Sequence, residues 1–190
     1  MALKKLIEYG YGQLELNLVS FPRTGNIVAQ YKAGESFTAD NSPLENGMLL
    51  MVDGKNRCVE KGTPTPGAIY ALNYSTEHMY DERTYRLADF KLNPTDDFYP
   101  RLGYLSIGDK FTTNCVCYET EKKVAEAWTE LKEAFAESEV AGVPSADGYI
   151  ALMVETEDTV MPENGPVLRV IEFTTMPDGQ NAVKFEVIRA

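Results

Sequence analysis

The stretch "YPRLGYLSIGDKFTTNCVCYE", residues 99–119, decides the fold class of this chain. Its Gly108-Asp109 pair is a typical turn dipeptide. The residues before this pair are apolar, and those after it are β-branched or aromatic, which favours strands on both sides. An active site or half of a metal site is an alternative interpretation. The pattern predicts two strands of a β-hairpin joined by an ordinary turn.

The same alternation of strands and turns continues through the first half of the chain. In residues 12–32, Leu14, Leu16 and Leu18 share one face of a predicted strand, since side chains alternate along a strand. The turn "FPRTGN" then leads into "IVAQY", which we expect to return as the second strand of a hairpin. Residues 46–60 read as strand, Asp53-Gly54 turn and strand, and "PTPGAIYALNYS" contains a further strand.

Residues 120–138 form the clearest predicted helix. Apolar residues recur three or four positions apart, as one face of a helix requires, with Trp128 and Leu131 at the centre of the stripe. Thr120 is the expected N-cap. We interpret "AGVPSADG", residues 141–148, as a linker that leads to three more strands.

These patterns predict a mainly β fold with one amphipathic helix. Eight to ten short strands with one helix indicate an antiparallel β-barrel or sandwich against which the helix packs. The expected division is a barrel or sandwich domain over residues 1–118 and a helix-plus-hairpin part over residues 119–190. Alternatively, both parts pack as one domain.

Composition narrows the function classes. The chain has 18 Lys and Arg against 29 Asp and Glu, a net charge of -11, which disfavours a nucleic-acid partner because the surface would repel phosphates. No apolar run approaches the roughly 18 residues that span a membrane, so we expect no membrane association. Three cysteines without framework spacing disfavour a disulfide scaffold and favour folding in a reducing cytoplasm.

The candidates for chemistry are the cysteines and the single histidine. Cys115 and Cys117 are two apart, so a strand would place both thiols on one face, whereas a closed zinc site needs about four ligands. Cys58 and His78 have no companion at ligand spacing. A cysteine hydrolase using one of the three thiols is the enzymatic alternative. We predict core cysteines and no catalytic, metal or cofactor site.

Aromatic residues beside the opening stretch are better candidates for function. Residues 76–98 show no clean period and are expected to be mostly irregular. Tyr, Phe and Arg are favoured anchors at protein interfaces. We therefore predict a partner-contact surface, with a stabilised long loop as the alternative. Its residues are Phe98, Tyr99, Arg101 and Tyr104.

The chain resembles the small β-rich virion accessory proteins encoded beside the major capsid gene of tailed bacteriophages. The resemblance rests on "ENGMLLMVDG", "ALNYSTEHMYDERTY", "YPRLGYLSIGDKFTTNCV" and "GYIALMVETEDTVMPENGP" with the closing "VKFEVI". It implies a structural protein that binds the assembled shell of the major capsid protein and cements or decorates it. The expected location is the virion, after folding in the bacterial cytoplasm, as a homo-oligomer or lattice-arrayed copies. The resemblance implies no catalysis and no cofactor.

Two other functions fit the same sequence. A tail or baseplate component would share the β-rich, acidic and tyrosine-rich composition. A carbohydrate- or small-ligand-binding β-module would use the tyrosines as stacking platforms.

Overall fold

A computed structural model describes residues 3–7, 10–38, 42–75, 91–157 and 159–190. The fold is mainly β, with 40% strand and 11% helix in two sheets that include a curled half-barrel, which confirms the predicted fold class. The described helices are α1 (Phe21–Thr24) and α2 (Val124–Glu137). The described strands are β1 (Leu3–Lys5), β2 (Leu14–Leu18), β3 (Ile27–Val28), β4 (Lys32–Ala33), β5 (Leu49–Asp53), β6 (Cys58–Glu60), β7 (Ile69–Asn73), β8 (Leu102–Gly103), β9 (Lys110–Thr113), β10 (Val116–Glu119), β11 (Val140–Pro144), β12 (Ile150–Val154), β13 (Val167–Thr175) and β14 (Asn181–Arg189).

The larger sheet has eight strands in the order β1-β10-β12-β11-β13-β14-β9-β2. Its pairs are antiparallel except β10 with β12, which run parallel. Strands β9 and β10 are five positions apart in this order, a distance of about 24 Å in a flat sheet. Only residues 114 and 115 join them, and three Cα steps span at most about 11 Å. The sheet must therefore curl on itself. This sheet combines strands that precede residue 118 in the chain with strands that follow it, so it includes both parts of the expected division.

The smaller sheet has six strands in the order β3-β8-β7-β5-β6-β4. Its two edge strands, β3 and β4, are joined by residues 29–31 alone, so they too must lie within about 14 Å of each other. This sheet therefore also curls. Residues 29–31 cross the seam between its open edges.

The core forms two clusters of buried side chains, and neighbouring residues of one strand alternate between them. Val116 lies in one cluster while Cys115 and Cys117 lie in the other. Leu49 and Leu50 divide in the same way. The central strands are consequently buried on both faces.

The predicted helical stripe is confirmed, but the helix begins later than expected. Helix α2 starts after Lys123, whose backbone N–H donates to Glu126 Oε2 at 3.4 Å. Thr120 was the wrong N-cap, because its hydroxyl oxygen instead accepts the backbone N–H of Lys122 at 3.1 Å in the preceding turn. Trp128 packs edge-on against Phe173, with ring centroids 5.9 Å apart, and its indole N–H donates to the Leu6 carbonyl.

The predicted linker at residues 141–148 is wrong, because its first half, residues 141–144, belongs to the buried strand β11. This strand lies between β12 and β13 in the larger sheet. A Cβ atom at Gly142 would lie 2.6 Å from Ile150 Cγ2, so only glycine lets the neighbouring side chains approach this closely. Small residues here indicate tight packing rather than a loop.

The predicted hairpin in residues 12–32 is also wrong in its second half. Strand β2 forms as expected, but a register shift between Glu15 and Leu18 breaks the alternation, and Leu18 is exposed. The turn residues form α1, where proline is tolerated in the first turn. Strand β3 then pairs with β8 instead of β2.

The opening stretch contains three short strands in two sheets rather than one hairpin. The turn at Gly108-Asp109 is confirmed, with Gly108 at a φ of 90°. Its flanking segments do not pair, since β8 joins the smaller sheet and β9 the larger one. Thr112 and Thr113 lie in β9 as strand residues, as predicted. The strands on either side of Asp53-Gly54, β5 and β6, do pair antiparallel, as expected.

Candidate functional site

The Gly-Asp turn of the opening stretch has a structural role. The Asp109 carboxylate is buried and accepts the backbone N–H groups of Ser20 at 2.8 Å and Ser106 at 2.9 Å. These bonds tie the start of α1 to the turn before β9. A buried carboxylate that accepts hydrogen bonds from backbone N–H groups stabilises the local geometry. The sequence predicted the turn but not this role of the Asp109 side chain.

The two neighbouring cysteines lie where the strand pattern predicted. Cys115 and Cys117 are fully buried in the same core cluster, and all three cysteines are free thiols. The Cys115 thiol donates to the Asn46 carbonyl at 2.9 Å, and Cys117 Sγ lies 3.5 Å from Ser145 Oγ. Burial raises the pKa of Cys117 to about 11. Both thiols are therefore held protonated in the core.

A buried carboxylate beside these thiols was missed by sequence reasoning. Glu45 is 5% exposed, accepts the Gly12 N–H at 3.2 Å, and accepts a short hydrogen bond from the Tyr149 hydroxyl. The ammonium of Lys5 lies 4.3 Å from the centre of the Tyr149 ring. Burial raises the pKa of Tyr149 far above its ordinary range. Hydrogen bonds make this burial tolerable, and Glu45 shows no sequence signal because its partners are distant in the chain.

These raised pKa values predict a loss of stability at alkaline pH. The folded chain retains the Cys117 proton at pH values where the unfolded chain releases it. The free energy of unfolding should fall as pH rises from about 8.5 toward 11, by up to about 1.4 kcal/mol per pH unit for this thiol. Urea unfolding of the wild type and Cys117→Ala across this range checks it. The variant should show a shallower fall, and parallel curves would contradict the assignment.

Two of the predicted contact residues lie on the surface. Phe98 is 37% exposed and Tyr99 46% exposed, directly before the buried Pro100. The ammonium of Lys32 lies 5.2 Å from the centre of the Tyr99 ring and 2.7 Å from Asp97 Oδ1. This hydrogen bond raises the pKa of Lys32 and lowers that of Asp97. Lys32 thus holds the segment around Tyr99 against the edge strand β4.

The other two predicted contact residues lie deeper. Arg101 is half-buried, with its guanidinium 5.5 Å from the centre of the Tyr74 ring. The Arg101 N–H also donates to Ser75 Oγ at 2.9 Å. Tyr104 is half-buried against the second core cluster, and burial, with a smaller effect from the nearby Tyr31, raises the pKa of its hydroxyl. The structure therefore separates an outward pair, Phe98 and Tyr99, from an inward pair.

A cleft of about 1110 Å³ lies beside Tyr99 of the outward pair. It follows the seam of the smaller sheet, where residues 29–35 meet the end of the β5–β6 hairpin. Sequence reasoning missed this site, because its walls come from segments far apart in the chain. The residues of its lining that carry charge, aromatic surface or a thiol include Tyr31, Lys32, Glu35, Arg57, Cys58 and Tyr99.

One wall of the cleft is fixed by Glu60. Its carboxylate accepts the backbone N–H groups of Glu35 at 3.1 Å and Ser36 at 3.0 Å. A Cβ atom at Gly34 would lie 2.0 Å from Glu60 Oε1, so a side chain here would push the Glu60 carboxylate away from its two backbone donors. The turn after β4 is thereby locked to β6, which gives the cleft a preformed shape.

Neither a metal-binding cluster nor a membrane-spanning helix is found in the described part of the chain. Within it, no three His, Cys, Asp or Glu side chains are grouped to hold a metal ion. His78, Phe90 and most of the irregular segment expected at residues 76–98 lie outside the described residues. No helix among the described elements has the length and apolar character needed to cross a membrane.

None of the protein-family models, curated proteins or solved structures compared with the chain gives a significant match. The functional assignment therefore depends on the residues themselves.

Proposed function

We propose that this protein is a structural component of a tailed-phage virion that binds the assembled capsid shell as a decoration or cementing protein. The observation that carries the proposal is the pair of exposed aromatic rings on consecutive residues, Phe98 and Tyr99, of which Tyr99 lines the cleft. The resemblance of the sequence to virion accessory proteins supplies the class of partner.

The physical chemistry of the pair suits protein contact. Aromatic side chains are enriched at the centres of interfaces, where they bury a large area at small entropic cost. Tyr99 is already held by Lys32, and Pro100 restricts the backbone that follows it. Less conformational freedom is then lost on binding.

The overall charge suits a protein present in many copies on a lattice. A net charge of -11 keeps free copies soluble and apart. On a symmetric shell, modest individual contacts combine into strong attachment through avidity if copies also touch one another. The proposal accordingly includes lattice-arrayed copies of this chain, with the major capsid protein as partner.

The proposal assigns no catalysis to the thiols. A nucleophilic cysteine needs a lowered pKa and access to substrate. Cys115 and Cys117 are fully buried, and burial raises the pKa of Cys58 to about 11. These properties suit packing and oppose a cysteine hydrolase.

Mass spectrometry of purified virions of the phage that encodes this chain tests the proposal. We expect the protein in virions at a fixed ratio to the major capsid protein, with immunogold labels on the head. Labels confined to the tail would support a tail or baseplate component instead. Absence from virions and from purified shells would rule out both.

A further inference from the structure

The cleft at the seam of the smaller sheet has the features of a site for an extended peptide. We infer that it receives an extended, basic segment of a partner protein, which adds to the free edge of strand β4. That the partner is the shell protein rests on the proposed function, whereas the chemistry of the cleft stands without it.

The backbone of β4 is oriented so that an added strand could pair with it. The Lys32 backbone N–H donates to the Arg57 carbonyl at 3.1 Å, and the Gly34 N–H donates to the Val59 carbonyl at 2.9 Å. Because backbone groups alternate in direction along a strand, those of Tyr31 and Ala33 face away from β6. Strand β4 is the edge of its sheet, so these groups face the cleft. An unpaired edge is a template for an added strand.

The size and stiffness of the cleft suit an extended peptide. Its volume of about 1110 Å³ exceeds what one side chain needs and suits several residues of an extended chain. Tyr31 packs against the second core cluster, and Tyr99 is held by Lys32. Glu60 fixes the turn after β4. A preformed groove of this kind reduces the entropic cost of binding.

The charges in and around the cleft indicate which kind of peptide it receives. The lining contains the carboxylates of Glu35 and Glu60, and Glu60 Oε1 lies 3.6 Å from Cys58 Sγ. Burial raises the pKa of Cys58, and these negative charges raise it further. The lining contains two cationic side chains, Lys32 and Arg57. The charge of Lys32 is balanced by its ion pair with Asp97, so Arg57 is the remaining positive charge in the lining. The net charge of -11 also attracts cations over longer range. A basic occupant is therefore favoured over an acidic one.

The test uses the full chain and two fluorescein-labelled peptides of eight residues, one alternating lysine with threonine and one alternating glutamate with threonine. Fluorescence anisotropy should show saturable binding of the lysine peptide and none of the glutamate peptide. NMR hydrogen exchange should show slower exchange of the Tyr31 and Ala33 amides when the lysine peptide is bound. Equal binding of both peptides, or unchanged exchange at both amides, would overturn the inference.

Three variants locate the binding. Glu35→Lys should weaken the lysine peptide about tenfold, since it replaces attraction by repulsion, and Arg57→Ala should strengthen it. Ala33→Pro removes an N–H that the β4–β6 ladder does not use and places a ring at the edge, so it should abolish binding. Circular dichroism checks that each variant is folded.

The matched control is Glu133→Lys, which makes the same charge change on the exposed surface of α2. It should leave binding nearly unchanged. An effect equal to that of Glu35→Lys would show nonspecific attraction and contradict the site. Binding of maltoheptaose by a protein that binds neither peptide would also contradict it. If the protein binds shells but neither peptide, the inference about the cleft is refuted and the proposed function is not. Peptide binding without shell binding would refute the proposed partner alone.

Discussion

Replacing Phe98 and Tyr99 together by serine is expected to weaken binding to purified capsid shells by at least about 30-fold. Loss of buried aromatic anchors commonly costs about 2 kcal/mol or more of binding free energy. Both rings are substantially exposed in the free protein, so their removal should leave folding nearly unaffected. Co-sedimentation of each protein with shells over a range of concentrations measures the change.

Ile107→Ser provides the matched control for this experiment. Ile107 is 73% exposed and lies outside the lining of the cleft, so its replacement removes exposed apolar surface without changing the cleft. Its affinity for shells should equal that of the wild type. An equal loss in the control, or full binding by the double variant, would show that the pair is not the contact.

Gly142→Ala is expected to lower the free energy of unfolding by about 2 kcal/mol or more, a typical cost of overpacking a core. The new Cβ would lie 2.6 Å from Ile150 Cγ2 and 2.9 Å from Phe185 Cε1. Both neighbours are fully buried, so neither can move without disturbing β12 or β14. Urea unfolding monitored by circular dichroism measures the difference.

The control for this variant is Gly54→Ala, in the exposed turn between β5 and β6. A Cβ there would meet only the Tyr31 hydroxyl, at 3.9 Å. We expect a change below about 0.5 kcal/mol, as for most surface substitutions. If Gly142→Ala were equally mild, β11 could not be packed as tightly as the structure shows.

Local patterns predicted the parts of the fold that depend on neighbouring residues. The stripe containing Trp128 and Leu131 gave the helix, and Asp53-Gly54 gave a hairpin, because both signals arise within a few residues. Strand β11 shows no period of two, since it is buried on both faces and carries small residues. Its Gly142 therefore resembled a linker residue.

The candidate site was only partly predictable for a related reason. Sequence composition marked Phe98 and Tyr99, and both lie on the surface. The cleft beside them depends on how strands pair, which brings β4 to β6. The Lys32–Asp97 ion pair joins residues 65 positions apart, and no local pattern announces such a contact. The turn at Gly108-Asp109 was recognised, but its two sides entered different sheets.

The most direct test of the account is saturation of purified capsid shells with the wild-type protein. Shells are incubated with increasing protein and sedimented, and the protein bound per major capsid subunit is measured. We predict that binding saturates at a fixed ratio and that unassembled capsid subunits bind much less. Protein that stays in the supernatant at every concentration, while the shells sediment without it, would contradict the proposed function.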